Sequence, residues 1–485
     1  MKNTKKYFLF ITIASLLFCF AIGFDISPFL RGPAPYPPEW RWPYFFVNTL
    51  PRIYVPVFLI VVLMIIYLLK EHKKYILKNT LLFLFCLVVL NFLFQLSILF
   101  FSRSGIAVII HRIIEPTLNG YFTASLPIHS ISDFLHTYNE TVLQFVYHAK
   151  AHPPGAILLF YGIKQMILLF SAFVDFASSL HPAHSDVLNL WNTLSRVDKA
   201  TAVAAGFIIP FLSSLSIIPL FFSTQIIAGT KIAARSTLLY FFIPTILFFV
   251  PINDCFLQLF SITAFFFFLK GLQKKNVFFF FLSGLILFLG VFFNLSVLPL
   301  GIFFCAFFLL TFFRKGKGLL VDYFKHGIVF LFGFLALPIF FLIFLQFNFL
   351  EMIQIIMKHV PDIHSRSYTL WLYYNLYDFL VFCGIPVALV LLTQAKEMVR
   401  LLLKKAWSKI DPVFFSFIIM ILVLDFSGSV RGETGRLWSP YIPFAVIATA
   451  SFLTRMKFSS KLFVGFLLLQ AIQVLVMQEF WVMLW

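Results

Sequence analysis

Phe265-Phe266-Phe267-Phe268-Leu269, then the pair Lys274-Lys275, then Val277-Phe278-Phe279-Phe280-Phe281: this stretch reads as two apolar segments joined by a short cationic loop. Unbroken runs of phenylalanine suit helix surfaces that face lipid better than a close-packed aqueous core. The pattern repeats along the chain. Of 485 residues, 61% are hydrophobic and 12% charged, about half the charge share of an ordinary soluble domain. Spanning segments are expected to begin near Tyr7, Ile53, Thr80, Pro154, Ala200, Ser236, Cys255, Val277, Leu298, His326, Leu376, Pro412, Tyr441 and Lys461. That makes about thirteen or fourteen segments, most reaching the roughly 17–25 residues a tilted span needs. The expected fold class is all-α: a polytopic transmembrane helix bundle with an amphipathic juxtamembrane helix in a large outer loop.

The net charge of +18 does not point to nucleic acid, because the cations sit in short clusters between apolar segments rather than in a stripe interleaved with exposed aromatics. Lys2, Lys5 and Lys6; Lys70, Lys73, Lys74 and Lys78; Lys274 and Lys275; Arg314, Lys315 and Lys317; 396–409; and Arg455 with Lys457 follow the positive-inside rule. The expected location is the plasma membrane, multi-pass, with the polar chemistry on the extracytoplasmic face. Cys19, Cys86, Cys255, Cys305 and Cys383 contain no CxxC pair and suggest neither a disulfide framework nor a zinc site. The stretch from Tyr7 to Phe24 has a basic flank but no small-x-small site before Asp25, so it reads as a retained helix, cleavage being the minor reading. Three regions are expected: 1–78, a helix pair around a Pro/Trp-rich loop; 79–393, a core carrying the outer loop 102–153; and 394–485, helices with the Arg/Glu loop 427–440.

Alternating inside and outside from both termini leaves a mismatch between Pro154 and Asp254, where three segments stand in a path that needs an even number. One must be re-entrant or interfacial, or a fourth hides in 175–199. Pro210 and Pro219 make the Ala200 segment the easiest to bend.

Four polar stretches are candidates for chemistry. In the large loop, Phe134, Leu135, Tyr138, Val142, Phe145 and Val146 recur at helical spacing, which predicts a surface helix from Ser132 to Tyr147 with Asp133 and Glu140 on one face. A carboxylate at such a boundary is suited to general-base work; the bland alternative is that Asp133 caps the helix and Glu140 is solvated. His148 and His152 have the i, i+4 spacing of metal ligands, but no third group stands near and Pro153 stops the helix, so His-Pro-Pro-Gly reads rather as a re-entry turn. In 425–440, Arg431, Glu433 and Arg436 among glycines make a clamp for a phosphate head group, with Trp438 beside it, or else a plain exposed ion pair. Asp254 interrupts an apolar run and is either functional or a solvated turn residue. Arg366 and Tyr368, followed by Trp371, Tyr373, Tyr374 and Tyr377, combine charge with rings that stack on sugars or simply form an interfacial belt.

Taken in order, Asn119-Gly120-Tyr121-Phe122 to His152-Pro153-Pro154-Gly155, Pro244 through Phe248 to Asp254, Arg366-x-Tyr368 to Asn375-Leu376-x-Asp378-Phe379, and Ser427-Gly428 through Arg431-Gly432-Glu433 to Arg436-x-Trp438 resemble the GT-C superfamily of membrane glycosyltransferases. The resemblance implies a hexosyltransferase, inverting, that takes sugar from a polyprenyl-phosphate donor in the lipid bilayer and gives it to a glycan, lipid or protein acceptor. It implies that an acidic residue of the first large outer loop is the base: Asp133 first, with Glu115 and Glu140 behind it. The family's acid commonly follows the first helix closely, which keeps Asp25 and Glu39 in contention. By this reading Arg431, Arg436 and Arg366 hold the phosphate. A divalent metal is left open, since nothing in the sequence firmly implies one. A transporter or flippase for a lipid-linked sugar is the rival class, although neither paired repeats nor a central charge ladder is evident.

Overall fold

In the computed structural model the chain is all-α, and among the described residues the one β pairing is the isolated bridge between Tyr44 and Trp481. The described residues are 2–45, 49–69, 79–102, 105–118, 120–180, 182, 187–315, 320–359 and 365–482. Asn119, the basic cluster in 70–78 and the run 360–364 lie outside them. Among the described residues, seven helices are long and apolar enough to cross a membrane: Thr4–Gly23, Thr80–Phe100, Arg196–Ala228, Asn253–Lys274, Leu295–Arg314, Phe324–Leu345 and Ser460–Phe480. The molecule is a multi-pass membrane helical bundle.

The expected segments recur as helices, but several are shorter than a full span. Tyr54–Leu68, Val277–Phe293 and Pro412–Ser427 stay below 18 residues. Thr230–Tyr240 stops before Pro244–Phe248, and Tyr368–Cys383 gives way to Ile385–Leu403 at Gly384, whose φ is +94°. The irregular place between Pro154 and Asp254 is not where the prolines suggested. Arg196–Ala228 runs 33 residues as one apolar stretch, whereas Gly155–Ile167 and Ser171–Ser178 meet at 114° and form a broken span or a re-entrant loop. Pro210 sits inside Arg196–Ala228, and its own carbonyl accepts from Ser214 Oγ at 3.0 Å, with Gln95 Nε2 3.4 Å away.

Close approach of two helices rests on a pair of glycines. A Cβ on Gly284 would collide with the Phe330 carbonyl and one on Gly333 with that of Phe281, so Val277–Phe293 and Leu320–Leu345 pack backbone to backbone. The first and last helices also pair: a Cβ on Gly465 would press on the Phe8 ring, and one on Gly23 would touch the Phe480 ring.

The two ends of the bundle differ in chemistry. Leu295–Arg314 begins beside Asp254, to which Asn294 donates, and finishes where Arg314 clasps the carbonyls of Trp407 and Ser408 at 3.2 and 3.0 Å. Ile442–Arg455 likewise starts at Tyr441, which donates to the Ser296 carbonyl, and ends in a cationic residue. Basic loops therefore gather at one end, and the buried carboxylates described next gather at the other.

Candidate active site

Four stretches far apart in sequence meet at the second end. Asp254 lies in the short 3-10 turn Asn253–Phe256 and is 8% exposed. Its Oδ1 accepts from Asn294 Nδ2 at 3.0 Å, and its Oδ2 lies 3.4 Å from Arg436 NH1. Arg436 NH2 bonds Glu433 Oε2 at 2.9 Å, and Glu433 Oε1 lies 3.8 Å from Arg366 NH2. Acid and base alternate, so the four charges cancel, which is how charges come to be tolerated away from water.

Backbone strain and hydrogen bonds fix this chain of charges. Glu433 has φ +55°, a conformation uncommon for a side-chain-bearing residue, next to Gly432 at +111°. The turn is held from the helix Tyr368–Cys383: Asn375 Oδ1 accepts from Gly432 N at 3.0 Å, and Asp378 Oδ2 accepts from Gly435 N at 2.7 Å. Asn375 Nδ2 donates in turn to Asp425 Oδ1 and to the Val430 carbonyl, at 3.1 and 2.8 Å. Thr245, from Pro244–Phe248, bridges the carbonyls of Phe382 and Gly435 at 3.1 and 2.9 Å.

Beside the charges lies a narrow, open cleft lined by Leu118, Tyr121, His148, Ile252, Asn253, Asp254 and Arg436. The His148 and His152 rings are 6.5 Å apart, and Tyr121 stands 6.0 Å from His152. Burial pushes His152 down to about 4 against the raising pull of Asp254, with Arg436 adding to the fall. Burial, then the Arg436 charge, then His152 hold His148 well below the ordinary histidine range. Both imidazoles are therefore neutral at pH 7 and act as donors and acceptors rather than as cations. Arg436 stays charged: burial works against its cation, but Glu433 and Asp254 together outweigh it and raise its pKa.

The Pro/Trp-rich loop, to which the sequence assigns no chemistry, closes over this knot. Trp42 is 1% exposed, and its Nε1 donates to Asp378 Oδ1 at 2.8 Å. Glu39 accepts from Trp371 Nε1 at 2.5 Å and from Ser367 N at 3.2 Å, and the Pro38 carbonyl accepts from Arg366 Nε at 3.0 Å. Asp25 pairs with Arg31 through two bonds of 2.9 Å, and Arg31 reaches on to the Trp42 carbonyl at 2.6 Å, which shapes the loop from its own base.

Of the residues singled out from sequence, Asp254, His148 and Arg436 line the cleft, with His152 and Glu433 beside it. Arg431 and Arg366 brace each other instead: Arg431 NH1 donates to the Arg366 carbonyl at 2.7 Å, and Arg366 NH1 to that of Arg431 at 2.6 Å. Arg431 also lies 5.6 Å over the ring of Tyr368, whose hydroxyl donates to the Phe426 carbonyl. Trp438 is 1% exposed and packs edge-on against Phe379. Glu115 folds back on Thr117, which donates to it from Oγ1 at 2.7 Å. Asp133 and Glu140 are exposed.

The expected surface helix is broken into Ile131–His136, Tyr138–Thr141, Val142–Gln144 and Tyr147–Ala151, so Asp133 and Glu140 do not share one helix face. Tyr138 explains the break: it is wholly buried and donates to the His152 carbonyl at 2.7 Å, folding the loop inward rather than laying it flat. The cap of Ile131–His136 is Ser130, whose hydroxyl accepts from Asp133 N, so Asp133 occupies the first turn instead. His152 has left the helical region, with φ −131° and ψ 158°. Among the described residues no group of three or more His, Cys, Asp or Glu side chains is placed to hold a metal ion. The sequence reading missed the Asn294 support and the tie between Trp42 and Asp378. A lone asparagine between two apolar stretches was the available signal for the first.

No family model and no curated protein matches the chain. Among solved structures it is similar to an oligosaccharyltransferase from Archaeoglobus fulgidus crystallised with zinc and sulfate, at 13% identity and a TM-score of 0.40, over 77% of this chain. It spans about half of that protein, 52% of its length. A likeness so distant says nothing of activity.

Proposed function

We propose that the chain is a membrane glycosyltransferase of the GT-C type, passing a sugar from a polyprenyl-phosphate carrier to an acceptor hydroxyl with inversion at the anomeric carbon, on the extracytoplasmic face of the plasma membrane. The observation that carries the reading is the cleft in which a buried carboxylate, Asp254, faces the same space as a buried guanidinium, Arg436, beside two neutral imidazoles. Transfer needs a group to receive the acceptor proton and a group to take the charge of the departing phosphate. Asp254 receives the proton as the acceptor oxygen bonds to the anomeric carbon. The bond from that carbon to the phosphate oxygen breaks, and Arg436 holds the polyprenyl phosphate that leaves.

The shared ion pair links the two roles. Drawn toward a phosphate, Arg436 relaxes its hold on Asp254 and frees the carboxylate to meet the acceptor hydroxyl. Arg366 and Arg431 act as positioning residues through Glu433 and through each other's carbonyls. Asp133, Glu115, Glu140 and Asp25 are the rival bases that the family resemblance implies. Replacing Asp254, Glu433 and each rival by its amide, and following transfer from a radiolabelled polyprenyl-phosphate sugar by purified protein in detergent, tests the assignment. Full activity in Asp254→Asn with loss in a rival moves the base; full activity in every variant sinks the mechanism. Transfer in detergent also separates an enzyme from a flippase, which needs two compartments to show anything.

A further inference from the structure

Asn253 precedes Asp254 in the same turn, lines the same cleft and is 4% exposed. Neither its Nδ2 nor its Oδ1 has a hydrogen-bond partner among the described residues, although an amide offers two donors and an acceptor. His152 Nδ1, on a ring 6.0 Å from that of the cleft-lining Tyr121, is also buried without one among the described residues. Buried amides are satisfied in native proteins with few exceptions, and each exception asks what completes it. What completes this one must both donate and accept. A second anion fits badly, with the Asp254 carboxylate on the next residue, and an apolar group would leave both amide atoms unpaired.

We propose that Asn253, with His152, forms the subsite for neighbouring hydroxyl groups of an uncharged sugar whose phosphate rests on Arg436. Each hydroxyl donates and accepts at once, so two of them satisfy both ends of the amide while the neutral imidazole takes another bond. The subsite rests on the sugar-transfer reading of the cleft and narrows it: the donor sugar is neutral, not a uronic acid or a phosphorylated sugar.

The test compares binding of two lipids, polyprenyl phosphate and the same lipid carrying a hexose, to the full chain in nanodiscs. Wild type is expected to prefer the hexose-bearing lipid by roughly tenfold or more, the range of a buried polar pair. Asn253→Leu is expected to erase the preference while holding bare polyprenyl phosphate as before, and Arg436→Gln to weaken both lipids alike. Thermal unfolding of each variant checks that it is folded, and Asn253→Gln serves as the second variant should Asn253→Leu not fold. If wild type binds neither lipid, the cleft reading itself fails. If it binds both but Asn253→Leu keeps the preference, or a uronic acid lipid binds more tightly than the hexose lipid, the subsite alone is overturned.

Discussion

The stretch 130–142 and the segment 425–440 are both rich in polar residues, yet the fold treats them in opposite ways. In the first, Asp133 and Glu140 sit exposed on separate short turns, while its buried anchor is an uncharged tyrosine, Tyr138. In the second, Glu433 and Arg436 are drawn into a chain of charges with Asp254 and Arg366 and tied down by Asn375 and Asp378. Density of polar residues thus says little about where chemistry lies. A charge enters the interior where hydrogen bonds or an opposite charge wait for it, and among the described residues the first stretch brings neither to the carboxylates of Asp133 and Glu140.

The largest effect is expected at the centre of the buried chain. Arg436→Ala leaves Asp254 and Glu433 without their shared cation, a loss of about 3–5 kcal/mol for a broken buried pair, and abolishes transfer; unfolding and radiolabel assays read both. Near-normal stability would show that this segment is as solvated as the loop, and the contrast would collapse. Asp254→Asn keeps an oxygen to accept from Asn294 but removes the base. Transfer is expected to drop ~10²–10⁴-fold with donor lipid binding retained, a split seen by pairing rate with binding.

Loosening the cover sharpens the comparison at its edge. Glu39→Ala removes the acceptor of Trp371 Nε1 and Ser367 N, which is expected to cost about 1–3 kcal/mol and to speed limited proteolysis of 25–45. Unchanged cleavage would make the loop independent of Glu39. The imidazoles give a pH test. With His152 pushed down to about 4 in the fold, the unfolded chain binds a proton that the folded one refuses once the pH drops below the ordinary histidine value of about 6.5. The stability His152 contributes is therefore complete above that pH and lost as pH falls toward about 4, so the unfolding midpoint should decline over that window and decline less in His152→Gln. The smallest effects belong to the exposed loop: Asp133→Asn and Glu140→Gln should stay within about 0.5 kcal/mol of wild-type stability and leave transfer nearly intact. A hundredfold loss in either would move the base into the loop and reverse the comparison.

The sequence alone determined the solvent and the helical class. Runs such as Phe265 to Phe268 can be buried only in lipid or against one another, and a chain in lipid must satisfy its backbone within helices, so composition and periodicity carry an all-α membrane bundle on their own. Candidate residues such as Asp254 and Arg436 were legible too, because a charge inside an apolar run is costly unless used. Tertiary structure decided who meets whom. That Asp254 finds Arg436, that Trp42 is buried on Asp378, that the bend falls after Ile167 rather than at Pro210, and that Tyr138 turns the loop inward all depend on contacts between residues far apart in the chain. Local pattern carries no record of such partners, and with charges it is the partner that decides between an exposed turn and a buried site.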